Sequence, residues 1–243
     1  MKILSGRLLG LVVLTLSFSL VISVPGQAGA AFKVTEDAFS ISNAPGYCFA
    51  MAVFARWYYL MHQGEPSLRK VMPKRAQQQI AKELQAYYSK NLVALQAEYC
   101  NRYHLNPGES FKRFAEGLLK GEPRIVLLMN KGPKGAVLHA VLAYEYLPHN
   151  NTIKVYDPNY INHERLINLE KREYTSLDIT YNAICFPEVF HHHPSLVQKM
   201  ENLYAVHVEQ NNAKTTNVAW RGPDAGHENG LSKRERYSRG PTR

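Results

Sequence analysis

Cys48 stands in "NAPGYCFAMAVFARWYYLM", residues Asn43 to Met61, directly in front of an apolar run and two places after Gly46. A cysteine nucleophile works as its thiolate, and an ordinary thiol pKa of about 8.5 leaves only a minor fraction ionised at neutral pH. A helix N-terminus and a neighbouring histidinium both favour the anion. Pro45 and Gly46 end the loop and the apolar run begins at once, so Cys48 sits where a helix start would act on it. The same stretch also suits a small apolar residue opening a core helix, because free cysteine is among the most buried residue types.

A base must come from elsewhere in the fold. Of ten histidines, His139 alone lies inside an apolar strand, "AVLHAVLAYEYL". On that strand alone it reads equally as a structural ring bonded to a core carbonyl. Asp157, in "IKVYDPNY", ends the next strand where Pro158 stops the ladder. Suppose the hairpin closes over Pro148 to Asn151 or a loop one residue longer. Where facing residue numbers sum to about 298 or 300, Asp157 opposes Val141 or Ala143 and shares a sheet face with His139. A one-residue slip separates the two. On the shared face the carboxylate would hold the imidazole tautomer and favour the imidazolium. The other reading of Asp157 is a turn residue before Pro158.

These positions need particular elements. Cys48 to His62 is apolar on nearly every side, the mark of a buried helix, and Gly64 supplies its stop. Ala76 to about Tyr103 is amphipathic at helical spacing, as one long helix or two shorter ones. Asn106-Pro107-Gly108 breaks it, and Glu109 to Leu119 forms a further helix ending at Gly121. The period then changes: Arg124 to Met129, Ala136 to Leu147 and Thr152 to Tyr156 read as strands, with a turn at Lys131 to Gly135. Leu166 to Asn168, Tyr174 to Thr180 and Leu203 to Val208 read as further strands. A helical first half and a sheet-rich second half make an α+β domain.

The ends differ from this body. Lys2 and Arg7 precede an uncharged apolar segment from Leu8 to Val24, and Ala28-Gly29-Ala30 is a small-x-small cleavage site, so residues 1–30 read as an export signal peptide. The apolar segment exceeds the usual signal core of about 7–15 residues, so an uncleaved membrane anchor is the alternative. Residues 31–210 then form one domain. Residues 211–243, polar and ending in "SKRERYSRGPTR", read as a disordered basic tail. Losing Lys2 and Arg7 with the signal lowers the formal charge from +9 to +7. Solubility accounts for that excess, and with no Arg/aromatic stacking platform in view, nucleic-acid binding is not expected. His191-His192-His193 reads as a solvated loop, since adjacent histidines on a strand alternate in direction, and no metal is expected. Three cysteines in an exported chain leave one unpaired. If Cys48 works as a thiol, Cys100 and Cys185 are a candidate disulfide; three buried thiols are the alternative.

"GYCFAMA" on a buried helix, followed by "HAVLAYEY" and then "VYDPN", resembles the papain-like cysteine peptidase superfamily, above all its bacterial papain-like and bacteriocin-processing members. The resemblance runs from Asn43 to about Asn159. It implies a papain-like α+β fold without a cofactor, with Cys48 as nucleophile, His139 as general base and later acid, and Asp157 as the residue orienting it. In such enzymes the oxyanion is held by the nucleophile's own N–H and commonly by a Gln a few residues upstream. No Gln stands there, and Asn43 is the nearest amide. The implied activity is that of an exported thiol hydrolase, a peptidase acting on peptide or protein substrates. An acyltransferase or transglutaminase-type enzyme would use the same triad, and a non-catalytic binding domain could keep the same fold.

Overall fold

The apolar run beginning at Cys48 forms one helix in the computed structural model, which describes residues 31–44, 46–92, 107–132, 135–187 and 193–209. The expected signal peptide, the pairing of Cys100, His191, His192 and the basic tail lie outside the described residues. A short helix, α1 (Val34–Asp37), precedes α2 (Cys48–Met61). Residues Phe49 to Tyr58 of α2 are all buried, as a run without a polar face requires. Arg56 is the one charged residue among them, and its Nε donates to the Pro123 carbonyl at 2.6 Å. Gly64, at a φ of +87°, turns the chain away after α2, where a side chain would be strained.

Two further helices follow, α3 (Leu68–Val71) and α4 (Lys74–Asn91); α4 presents Ile80, Leu84 and Tyr88 to α2. The next is α5 (Pro107–Leu119). It starts at the proline read above as a breaker, because the first helical position needs no N–H. The sheet strands are β1 (Arg124–Gly132), β2 (Gly135–Leu147), β3 (Thr152–Tyr156), β4 (Glu164–Asn168) and β7 (Ala183–Cys185), all antiparallel in the order β4-β3-β2-β1-β7. A separate hairpin pairs β5 (Tyr174–Ser176) with β6 (Ile179–Tyr181). The chain then forms α6 (Pro194–Tyr204) and a π-helical turn at Ala205–Glu209.

The sheet is buried on both faces, which makes three layers. Ile125, Leu127, Met129, Ala140, Leu142 and Tyr156 pack against α2, α4 and α6. Val126, Leu128, Val141, Ala143, Ile153 and Val155 face Phe114 and Leu118 of α5, together with Tyr174 and Tyr181 of the hairpin. The architecture is therefore α+β, helices on both faces of a five-stranded antiparallel sheet. No helix among the described residues is long and apolar enough to cross a membrane.

Two sequence expectations are corrected. Tyr174 to Thr180 is not one strand but a hairpin turning at Leu177-Asp178, a pair without a glycine signal. Leu177 takes a φ of +53° there, and its N–H donates to the Tyr160 hydroxyl at 2.7 Å. Leu203 to Val208 is not a strand but the end of α6 and its π-helical turn. Leu196, Met200 and Leu203 recur at helical spacing and are buried together, so tertiary packing sets the period.

The register of β2 and β3 decides where His139 and Asp157 point. Beside the turn, Leu147 faces Thr152 and Glu145 faces Lys154, and continuing that odd-sum pairing would put Asp157 on the face away from His139. A bulge between Ala143 and Glu145 takes up one residue. Beyond it Ala143 faces Val155 and Leu142 faces Tyr156, so the next position brings Asp157 opposite Val141, diagonal to His139.

Candidate functional site

The segment leading to Cys48 is pinned by long side chains of α3 and α4. Arg69 donates from Nε to the Ala38 carbonyl (2.7 Å) and from Nη2 to those of Val34 (2.8 Å) and Phe39 (3.0 Å), with Nη1 bonded to Asn162. Buried Gln77 accepts from the Ser40 N–H (2.7 Å) and donates to the Met72 carbonyl (2.8 Å). The chain then turns, the Gly46 N–H donating to the Asn43 carbonyl at 2.7 Å, with Gly46 at a φ of +81°. That turn delivers Cys48 as the first residue of α2. Its side chain is half-buried.

His139 and Asp157 meet as the bulged register requires. His139 Nε2 donates to Asp157 Oδ1 at 2.8 Å, and the Cys48 side chain is a polar neighbour of the same imidazole on the wall of the same cleft. His139 is 3% exposed and Asp157 fully buried, and the imidazole stacks on the Tyr181 ring at 5.7 Å. A buried carboxylate is costly unless its lone pairs are met. Asp157 has four donors: His139 and the Asn159 N–H (2.9 Å) on Oδ1, the Tyr174 hydroxyl (2.8 Å) and the Ser176 hydroxyl (2.7 Å) on Oδ2.

These contacts set the protonation states. Burial pulls the His139 pKa down, but the hydrogen bonds to Asp157 and Cys48 and the charges on both outweigh it, holding the imidazole up at about 9. Burial pushes the Asp157 carboxyl up, and the bond to His139, then its charge and the Ser176 hydroxyl, bring it below the ordinary value. The geometry is that of an imidazolium held between a carboxylate and a sulfur.

The sulfur opens into a cleft of about 480 Å³, lined by Asn43, Cys48, Gln85, His139, Asn159 and Tyr181 among others. Asn43 is there, and its Nδ2 donates to Asn159 Oδ1 at 2.7 Å. The structure thus brings Cys48, His139, Asp157 and Asn43 into one place. Cys185 is buried on β7, and Cys100 lies outside the described residues. His193 stands at the N-cap position of α6 without a side-chain capping bond, its Nδ1 2.8 Å from the Ser195 hydroxyl.

Several residues of the site escaped sequence reasoning. Asn159 was legible in principle, since Asp-Pro-Asn favours the Asx turn in which Asp157 Oδ1 accepts the Asn159 N–H. Tyr174 and Ser176 carry hydroxyls two apart on a strand, which places both on one face. Gln85 had no local signal: it lies in a polar stretch of α4, and its Oε1 accepts from the Ala50 N–H at 3.2 Å. No protein-family model, curated protein or solved structure matches this chain.

Proposed function

We propose that this chain is an exported, papain-like thiol hydrolase that cleaves amide bonds through an acyl-enzyme on Cys48. The observation that carries the reading is the buried imidazole of His139, bonded to the Asp157 carboxylate and flanked by the Cys48 thiol, at the wall of an open cleft. A merely structural histidine has no need of a sulfur and a four-donor carboxylate together. The order Cys, His, Asp and the placement of Cys48 at the start of a buried helix on an antiparallel sheet support the papain-like assignment.

The chemistry follows from the contacts. His139 takes the thiol proton, and Sγ attacks the carbonyl carbon to form the tetrahedral intermediate. As the C–N bond breaks, the imidazolium returns the proton to the leaving amine, and a thioester remains on Cys48. His139 then deprotonates a water that attacks the thioester, releasing a carboxylic acid and restoring the thiol. Asp157 holds the ring with Nε2 protonated and leaves Nδ1 for this traffic.

The cleft also favours an apolar group beside the scissile bond. Of seven large apolar side chains exposed among the described residues, three line it: Leu138 (45%), Leu177 (58%) and Ile179 (37%). That concentration marks a binding surface rather than chance exposure. The test is digestion of a peptide library by the full chain, with Cys48→Ala as control and acid-quenched intact mass to trap the thioester. Cysteine-dependent cleavage next to bulky apolar residues, with an acyl adduct on Cys48, is expected. Absence of both cleavage and adduct would refute the reading.

A further inference from the structure

Attack on a carbonyl drives negative charge onto its oxygen, and preorganised donors aimed at that oxygen supply much of the rate. The first donor at hand is the Cys48 N–H, which opens α2 and has no partner within the helix. A second has to come from a side chain. Asn43, the amide nearest upstream, is committed to the network. Asp157 only accepts, so Ser176 must donate to Oδ2, and Asn159 Nδ2 must in turn donate to Ser176 at 2.8 Å. That fixes Asn159 Oδ1 as an acceptor and Asn43 Nδ2 as its donor. With Nδ2 drawn towards Asn159, Asn43 also carries a buried Oδ1 without a partner among the described residues, an acceptor that an oxyanion would avoid.

Gln85 has the opposite arrangement. It lines the same cleft from α4, half-buried, and Tyr47 gives α2 no side-chain cap. Gln85 Oε1 supplies that cap from another helix by accepting the Ala50 N–H, which fixes the amide with its oxygen on α2. Its Nε2 has no hydrogen-bond partner among the described residues. We infer that Gln85 is the second oxyanion donor, a catalytic residue that acts with the Cys48 N–H and takes the role from Asn43; this rests on the thiol hydrolase reading. The tether to α2 means that the helix presenting the nucleophile also positions the donor.

The test compares two reactions of the same sulfur. With 4-nitrophenyl acetate, Sγ bonds to the acetyl carbon through an oxyanion, the ester C–O bond breaks, 4-nitrophenolate leaves, and the proton from sulfur passes to His139. With iodoacetamide, Sγ displaces iodide and no oxyanion forms. The ratio of acylation to alkylation rate constants therefore cancels differences in thiolate availability. In the full chain, Gln85→Ala and Gln85→Glu are each expected to lower this ratio by about 10²–10³, the usual loss for one oxyanion donor. Gln85→Glu keeps an acceptor for the Ala50 N–H, so it tests the donor even if Gln85→Ala folds poorly.

A ratio for Gln85→Glu within about threefold of the native value, against the loss of about 10²–10³ usual for such a donor, would overturn the inference. So would a larger fall for Asn43→Ala than for Gln85→Glu. Both outcomes presuppose a native protein that is acylated. A native protein that is not acylated, and whose alkylation does not depend on His139, overturns the hydrolase reading and this inference with it.

Discussion

Replacing Asp157 by Asn removes one charge while keeping the shape of the side chain, and its consequence can be worked from the surroundings of His139. The ring is 3% exposed, so burial alone would carry its pKa below the ordinary 6.5; instead it is held at about 9. The rise from 6.5 to about 9 is worth roughly 3–4 kcal/mol in favour of the imidazolium, at about 1.4 kcal/mol per pH unit. The bond to Asp157 is the foremost contribution raising it, ahead of the bond to Cys48. With an amide in place of the carboxylate, His139 is expected to titrate at about 7 or lower, while Cys48→Ala lowers it by less. NMR of ring-labelled histidine across about pH 5 to 10 reads this directly. His139 still titrating above about 8 in Asp157→Asn, or falling further in Cys48→Ala, would refute the reasoning.

The same pair makes stability depend on pH, and the two signs differ. His139 has a raised pKa in the folded state, so its contribution is complete below about 6.5 and disappears as the pH rises through about 9. Asp157 has a lowered one, so its contribution is present above about 3.8 and disappears as the pH falls below it. The melting temperature of the native chain should therefore exceed that of Asp157→Asn most between about pH 4 and 6.5, and the gap should narrow on both sides.

Two other substitutions test the supports of the site. Arg69→Ala removes a guanidinium that ties three carbonyls of the segment before Cys48 to Asn162; unfolding in urea should show a loss of about 2–4 kcal/mol, and a loss below about 0.5 would contradict the pinning role. Leu177→Gly relieves a left-handed backbone worth about 1–2 kcal/mol against a glycine entropy cost of about 0.5–1. The melting temperature should hold or rise slightly while KM for apolar peptides increases, and unchanged KM would remove Leu177 from the binding surface.

Much of the site was legible because its chemistry lies at element boundaries. Cys48 follows a Pro-Gly loop end and opens a run with no polar face, and Asp157 precedes a proline that stops a strand. What sequence could not decide was the register. The turn beside Leu147 and Thr152 sets an odd pairing, and only the bulge between Ala143 and Glu145 returns Asp157 to the face of His139. "AVLHAVLAYEYL" holds no glycine or proline to mark that bulge. The hairpin at Leu177-Asp178 was hidden for a related reason: its positive φ sits on a leucine, and the Tyr160 hydroxyl that meets its N–H lies 17 residues away. Gln85 reaches Ala50 across 35 residues of chain, a distance at which local pattern says nothing. The types of the longer helices and strands up to Asn168 followed from periodicity, while the short elements, α1, α3 and β5 to β7, and the late helix α6 did not.

The most direct test of the central claim, that His139 and Cys48 act as a thiolate–imidazolium pair, is the rate of Cys48 alkylation by iodoacetamide from about pH 4 to 9 in the native chain and in His139→Ala. An ordinary thiol reacts only as the pH approaches about 8.5. The account predicts rapid labelling of the native chain at about pH 6, reduced by about two orders of magnitude in His139→Ala. Labelling that rises only near about pH 8.5, or profiles that coincide in the two proteins, would contradict it.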